Sequence, residues 1–197
     1  MSHTAESLQA AFKYLFPDEI PFLKELAQSL PDNPMVVNIG AGAGTSGLAF
    51  MESRSDLRLI TIDIQYENSP FGCIFAEERL MTENGYSKRY KSIIGRSQQI
   101  GFGWKQGKVD MVFVDGGHEY DECSGDILAW LPNIKPGGII AVHDYKKGEL
   151  YASETDYQPD KPHPGPYVDI DRAVDELLLN RYKLIRRVDS LIAFRIM

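Results

Sequence analysis

The stretch MVVNIGAGAGTSG, residues 35–47, decides how the rest of the chain is read. Its first five residues form an apolar run too short for a helix. The glycines at 40, 42 and 44 follow as a turn, and Leu48, Ala49, Phe50 and Met51 continue as a helix. Working outward, the apolar runs LRLITI at 57–62, YKSIIG at 90–95, VDMVFV at 109–114 and GIIAV at 138–142 predict four more strands. Segments of helical or mixed character, such as 119–131, separate them. Strands that alternate with helices predict a doubly wound α/β sheet, mainly parallel, covered on both faces and joined by right-handed crossovers.

The flanks complete this picture. Between residues 5 and 30 apolar side chains recur with helical period, interrupted by Pro17 and Pro21, which predicts two short N-terminal helices. Residues 146–168 hold four prolines and show neither period, so a long loop is expected there. A helix over 169–180 leads to YKLIRRV and SLIAFRI, an antiparallel hairpin turning at Asp189-Ser190. The expected organisation is one domain over 1–197. It comprises a helical segment 1–34, a core 35–145, the loop 146–168, and the helix and hairpin 169–197.

Composition narrows the function. Against 28 Asp and Glu stand 21 Lys and Arg, a formal net charge of -7 without a basic tail, which argues against a nucleic-acid partner. Only Cys73 and Cys123 occur, with no CxxC and no dense framework, so there is no sign of a secreted disulfide scaffold. The first twenty residues lack a leader pattern and no apolar run reaches the roughly 18 residues of a membrane span. A cytoplasmic protein without a membrane partner is the expectation.

In a doubly wound sheet the ligand sits beyond the carboxyl ends of the strands. Those ends carry Gly40 to Gly44, Asp63, Gly95 to Ser97, Asp115 to His118, and His143 with Asp144. Gly40, Gly42 and Gly44 let a ligand approach backbone, and Asp63 is placed to accept hydrogen bonds from ribose hydroxyls. Gly42, Gly44 and Gly47 match the dinucleotide spacing GxGxxG, but they begin two residues beyond Gly40, and the C-terminal hairpin leaves no room for a second half-sheet. A mononucleoside cofactor fits better. Asp115, His118, His143 and Asp144 together suit a divalent cation with a neighbouring base.

With VVNIGAGAG, Asp63, VDMVFVDGGHEY, KPGGIIAVHDY and the terminal hairpin in view, the sequence resembles the class I S-adenosylmethionine-dependent methyltransferases over roughly residues 35–197. Within them it most resembles the small metal-dependent O-methyltransferases: the catechol type, and more closely the group that includes macrolide-sugar methyltransferases and cephalosporin-hydroxylase-like proteins. The resemblance implies a Rossmann-like, seven-stranded sheet with S-adenosyl-L-methionine as cofactor. Gly40, Ala41, Gly42 and Gly44 would wrap its methionine part, Asp63 its ribose, and Arg96 and Ser97 would lie near its adenine. Asn38 stands where the family commonly has an acidic residue, and Asp115 borders the cofactor as well. Asp115, His143 and Asp144 would hold Mg²⁺ or Mn²⁺, and His118 would be the general base.

His143 departs from the family's usual acid, which leaves three readings: a ligand to a softer metal, a substrate contact, or a site without metal. The implied reaction is methyl transfer to a sugar or aryl hydroxyl of a small molecule. The loop from Tyr145 to Tyr167 would cover the site, and the N-terminal helices and hairpin offer surfaces for a homo-oligomer. Two rival readings are a metal hydrolase using Asp115, His118, His143 and Asp144, and a nucleoside-binding module without chemistry.

Overall fold

Alternation along the central strands dictates the layering. Val37 and Ile39, Val112 and Val114, Ile140 and Val142 point to one face of the sheet and pack with Cys123, Ile127 and Trp130. Val36, Met111 and Phe113, Ile139 and Ala141 point to the other and pack with the N-terminal helices. Strands buried on both faces read as nearly continuous apolar runs, which is why the sequence marks them so plainly. The computed structural model describes residues 3–65, 74–146 and 166–197.

The chain runs through α1 (Ala5–Phe12), α2 (Glu19–Gln28), β1 (Met35–Ile39), α3 (Thr45–Ser53), β2 (Arg58–Asp63), α4 (Ile74–Glu83), β3 (Tyr90–Ile94) and α5 (Ser97–Phe102). It continues through β4 (Val109–Val114), α6 (Tyr120–Trp130), β5 (Ile134–Val142), α7 (Pro166–Val174), β6 (Lys183–Val188) and β7 (Leu191–Arg195). The seven strands form one sheet in the order β3-β2-β1-β4-β5-β7-β6. β1 to β5 are parallel and β7 runs antiparallel to both β5 and β6. This is the class I methyltransferase architecture expected from the sequence.

Three boundaries differ from the sequence reading. β5 begins at Ile134 rather than Gly138, because Val109 already pairs with Ile134 before the register shifts ahead of Met111. The helix expected over 169–180 starts at Pro166, and its last turn, Asp175–Leu179, opens into a π-helix. A short helix, α5, follows β3 at once. Cys73, His163 and residues 147–165 of the expected loop lie outside the described residues. Among the described residues no helix is long and apolar enough to cross a membrane.

Strand order reverses between β1 and β4, so a crevice opens above their carboxyl ends. Its base is fixed by Gly40, at φ +94, where a Cβ would stand 2.0 Å from the backbone oxygen of Asp115. The two strand ends therefore close on each other only because residue 40 has no side chain.

Candidate active site

A cavity of about 420 Å³ occupies this crevice, within the range of small-ligand pockets. The loop after β1 supplies Gly40 to Ala43, β2 ends in it at Asp63, and Gly95 to Gln98 wall one end. Asp115 to His118 and the pair His143 and Asp144 reach it from β4 and β5. Tyr14 and Leu15, between α1 and α2, reach it too.

Asp63 organises the glycine loop before any ligand arrives. One of its oxygens accepts the N–H of Ala41 at 2.8 Å and the other that of Gln65 at 2.8 Å. Each oxygen keeps a second lone pair for a ribose hydroxyl. Gly42 faces the cavity at φ +48, and the nearest atom a Cβ there would meet is a ring carbon of Tyr14 at 3.7 Å. The bare turn and Asp63 fit a nucleoside with a polar tail on the glycines.

Two residues expected to touch the cofactor work from behind instead. Asn38 is completely buried and does not line the cavity. Its Nδ2 donates to the carbonyl of Gly40 at 3.0 Å and its Oδ1 accepts from Ser46 Oγ at 3.4 Å, so it braces the loop rather than facing an ammonium. Gly44 turns away from the cavity, and a Cβ there would lie 2.7 Å from Leu80 Cδ2.

At the other end, Asp115, His118 and Asp144 offer one ligand atom each, all within 4.8 Å of one another. His118 Nε2 pairs with Asp144 Oδ2 at 3.0 Å, and His118 is the exposed member while Asp144 is buried. His143 does not join this group as a ligand. Its Nδ1 lies 2.9 Å from Asp115 Oδ1 and 3.3 Å from Asp144 Oδ1, and its Nε2 is 3.0 Å from Glu19 Oε2. Carboxylates only accept, so an imidazole bonded to one at each nitrogen carries both protons and has no lone pair for a metal. Its burial opposes that charge, but Asp115, Asp144 and Glu19 hold its pKa well above the ordinary histidine value.

The reason lies in strand parity. His143 extends β5 by donating its N–H to the carbonyl of Val114, and it follows Ile139 and Ala141 on the face covered by the N-terminal helices. Its ring packs near Phe113, with centroids 6.3 Å apart. Asp144 then takes a left-handed conformation, φ 62, that swings it toward His118, a backbone strain of roughly 1–3 kcal/mol.

Glu19, at the start of α2, was not flagged by the sequence. It is fully buried and accepts from Phe16 N at 2.7 Å, Ser190 N at 2.9 Å and Ser190 Oγ at 2.8 Å besides pairing with His143. Helix spacing marked only the apolar positions of this segment. Nothing local announces that residue 19 meets residue 190, 171 positions away.

Three carboxylates thus surround one imidazolium, and the excess negative charge at Asp115 and Asp144 suits a divalent cation. The two carboxylate oxygens suit Mg²⁺ or Mn²⁺, whereas the His118 nitrogen suits a transition ion better than Mg²⁺.

A family model described as a methyltransferase domain matches residues 37–145. The chain belongs to this methyltransferase family. A Mycobacterium sp. (strain JLS) protein, named for an inferred O-methyltransferase activity, is 30% identical over 115 residues, 58% of this chain and 50% of that one. The chain spans about half the length of the curated relatives it matches. The methyltransferase domain is also similar to solved structures. The O-methyltransferase TomG of Streptomyces achromogenes, solved with S-adenosylmethionine, superposes with a TM-score of 0.71 at 21% identity, covering 98% of this chain and 88% of that one. The SAH-bound methyltransferase PaMTH1 of Podospora anserina gives 0.73 at 20% identity, with 95% and 85% covered.

Proposed function

We propose that the protein transfers the methyl group of S-adenosylmethionine to a hydroxyl of a small molecule. The observation that carries this reading is convergence. The glycine loop with Asp63 and the group Asp115, His118 and Asp144 face one cavity at the sheet's switch point. A hydrolase reading leaves the glycine loop and Asp63 without a role.

The chain's residues divide the work. Gly40 to Gly42 and Asp63 hold the cofactor, and Asp115 and Asp144 mark the acceptor end. His118, paired with Asp144, takes the proton of the acceptor hydroxyl, and the carboxylate stabilises the imidazolium that forms. Transfer from an activated sulfonium needs chiefly this proton removal and alignment of the two reactants. A divalent cation, when bound, would be held by Asp115 and Asp144, with His118 kept as the base, and would acidify and orient the hydroxyl. His143 and Glu19 keep the two aspartates in place from beneath.

Calorimetric titration with S-adenosylhomocysteine tests the cofactor half of this reading. Micromolar binding to the native chain, weakened at least about tenfold in Asp63→Ala, is the expected result. Transfer of labelled methyl to a panel of catechols and sugars, with Mn²⁺ or with chelator, tests the other half. Absence of S-adenosylhomocysteine binding under every condition overturns the proposal.

A further inference from the structure

The cavity wall beside Ser97 and Gln98 carries a polar group that neither the glycine loop nor the acceptor chemistry uses. Asp126, on α6, is 5% exposed yet lines the cavity beside Ser97, Gln98, Gly116 and Glu122. Ser97 Oγ donates to its Oδ1. Its Oδ2 lies 3.3 Å from where a Cβ on Gly116, another lining residue, would stand. The Glu122 carboxylate lies over Gly117, where a Cβ would be 1.9 Å from Oε2.

This end is fixed before any ligand enters. The Ser97 carbonyl accepts from Trp130 Nε1 at 3.2 Å, and Gln98 Nε2 donates to the backbone oxygen of Glu122 at 3.1 Å, so α5 is tied to α6. Burial raises the Asp126 pKa to about 6, opposed by the Ser97 hydrogen bond, and the group stays mainly ionised above neutrality.

If Asp63 takes the ribose, the base must extend along the strand ends away from the glycine turn, toward Gly95 to Gln98. We infer that Asp126, held by Ser97 and backed by Glu122, reads the exocyclic amine of the cofactor's base and so selects adenine over 6-oxopurines. A carboxylate accepts only. It matches an amine donor and opposes a carbonyl in the same place. The inference rests on the proposed adenosyl cofactor.

The test compares calorimetric binding of S-adenosylhomocysteine and its deaminated counterpart, S-inosylhomocysteine, to the full chain at pH 7.5. The native protein is expected to prefer the adenine compound at least about tenfold, because the carbonyl leaves a buried carboxylate facing an acceptor. In Asp126→Asn, whose amide can donate, the preference should fall to within about threefold while the thermal transition stays in place. Ser97→Ala removes the anchor but keeps the carboxylate, and should lower the preference several-fold.

An unaltered preference in Asp126→Asn, or none in the native protein, overturns the inference while leaving the cofactor reading standing. If Asp126→Asn fails to fold, an unaltered preference in Ser97→Ala overturns it equally. Failure of both compounds to bind the native protein overturns the cofactor reading and this inference together.

Discussion

Replacing Glu77 by Gln should stabilise the protein, and by an amount that grows with pH. Glu77, on α4, is fully buried beneath the glycine loop, accepts from Tyr90 Oη at 3.1 Å and from Thr61 Oγ1 at 3.3 Å, and its Oε1 fills the space that Gly47 leaves open. Burial raises its pKa from 4.5 to about 8, against the lowering effect of those two hydrogen bonds. Between these two values the folded chain keeps a proton that the unfolded chain has released, so stability falls as pH rises. Each unit crossed costs about 1.4 kcal/mol.

The penalty is under about 1 kcal/mol at pH 5 and about 3 kcal/mol at pH 7, and it levels off above pH 8. Gln has the same size and stays neutral throughout. Its oxygen can accept from Tyr90, and its amide can donate to Thr61. Urea denaturation of both proteins at pH 5, 7 and 8 measures the difference. The gain in Glu77→Gln should be about 2–3 kcal/mol larger at pH 7 than at pH 5. An equal gain at both, within about 0.5 kcal/mol, would refute the buried-proton argument.

Other expected outcomes are simpler. Glu19→Ala removes a fully buried partner of His143 and should cost about 3–5 kcal/mol in urea denaturation, since a buried charge is left short of its counter-ion. Gly40→Ala forces a Cβ into the Asp115 carbonyl at a left-handed backbone position, and should lose at least about 2 kcal/mol and weaken S-adenosylhomocysteine binding. His118→Gln should lower kcat for methyl transfer about 100-fold with S-adenosylhomocysteine affinity within a factor of about two, as calorimetry and initial rates will show.

Strand-end positions explain what the sequence made legible. β1 to β5 are dense apolar runs, so their ends could be placed, and with them Asp63, Asp115, His118 and Asp144. Identity at the ends was readable, whereas direction was not. The family resemblance pairs His143 with Asp144 and leaves its role open, whereas β5 parity aims His143 at the N-terminal helices and a left-handed backbone turns Asp144 to the cavity. Parity was available in the sequence as a signal. Asn38 follows the same rule, sharing the Val36 face of β1.

Glu19, Ser190 and Asp126 were out of reach for another reason. Glu19 lies in an N-terminal helical segment whose apolar spacing describes its packing, and its partner His143 is 124 residues away. Asp126 sits on a helix with no local mark to distinguish it from a solvated acid. Only the docking of α5 on α6 brings Ser97 to it.

The lock formed by Glu19, His143 and Ser190 bears on how this domain can be cut and recombined. Residues 37–145, the part that matches the family, contain His143 and both aspartates but neither Glu19 nor Ser190. A graft of that segment into another scaffold would carry Asp115, His118, His143 and Asp144 and leave behind the Glu19 counter-ion that anchors His143. A working chimaera therefore has to import the carboxylate of α2 and the turn before β7 with the core, or supply an equivalent acid from the new host.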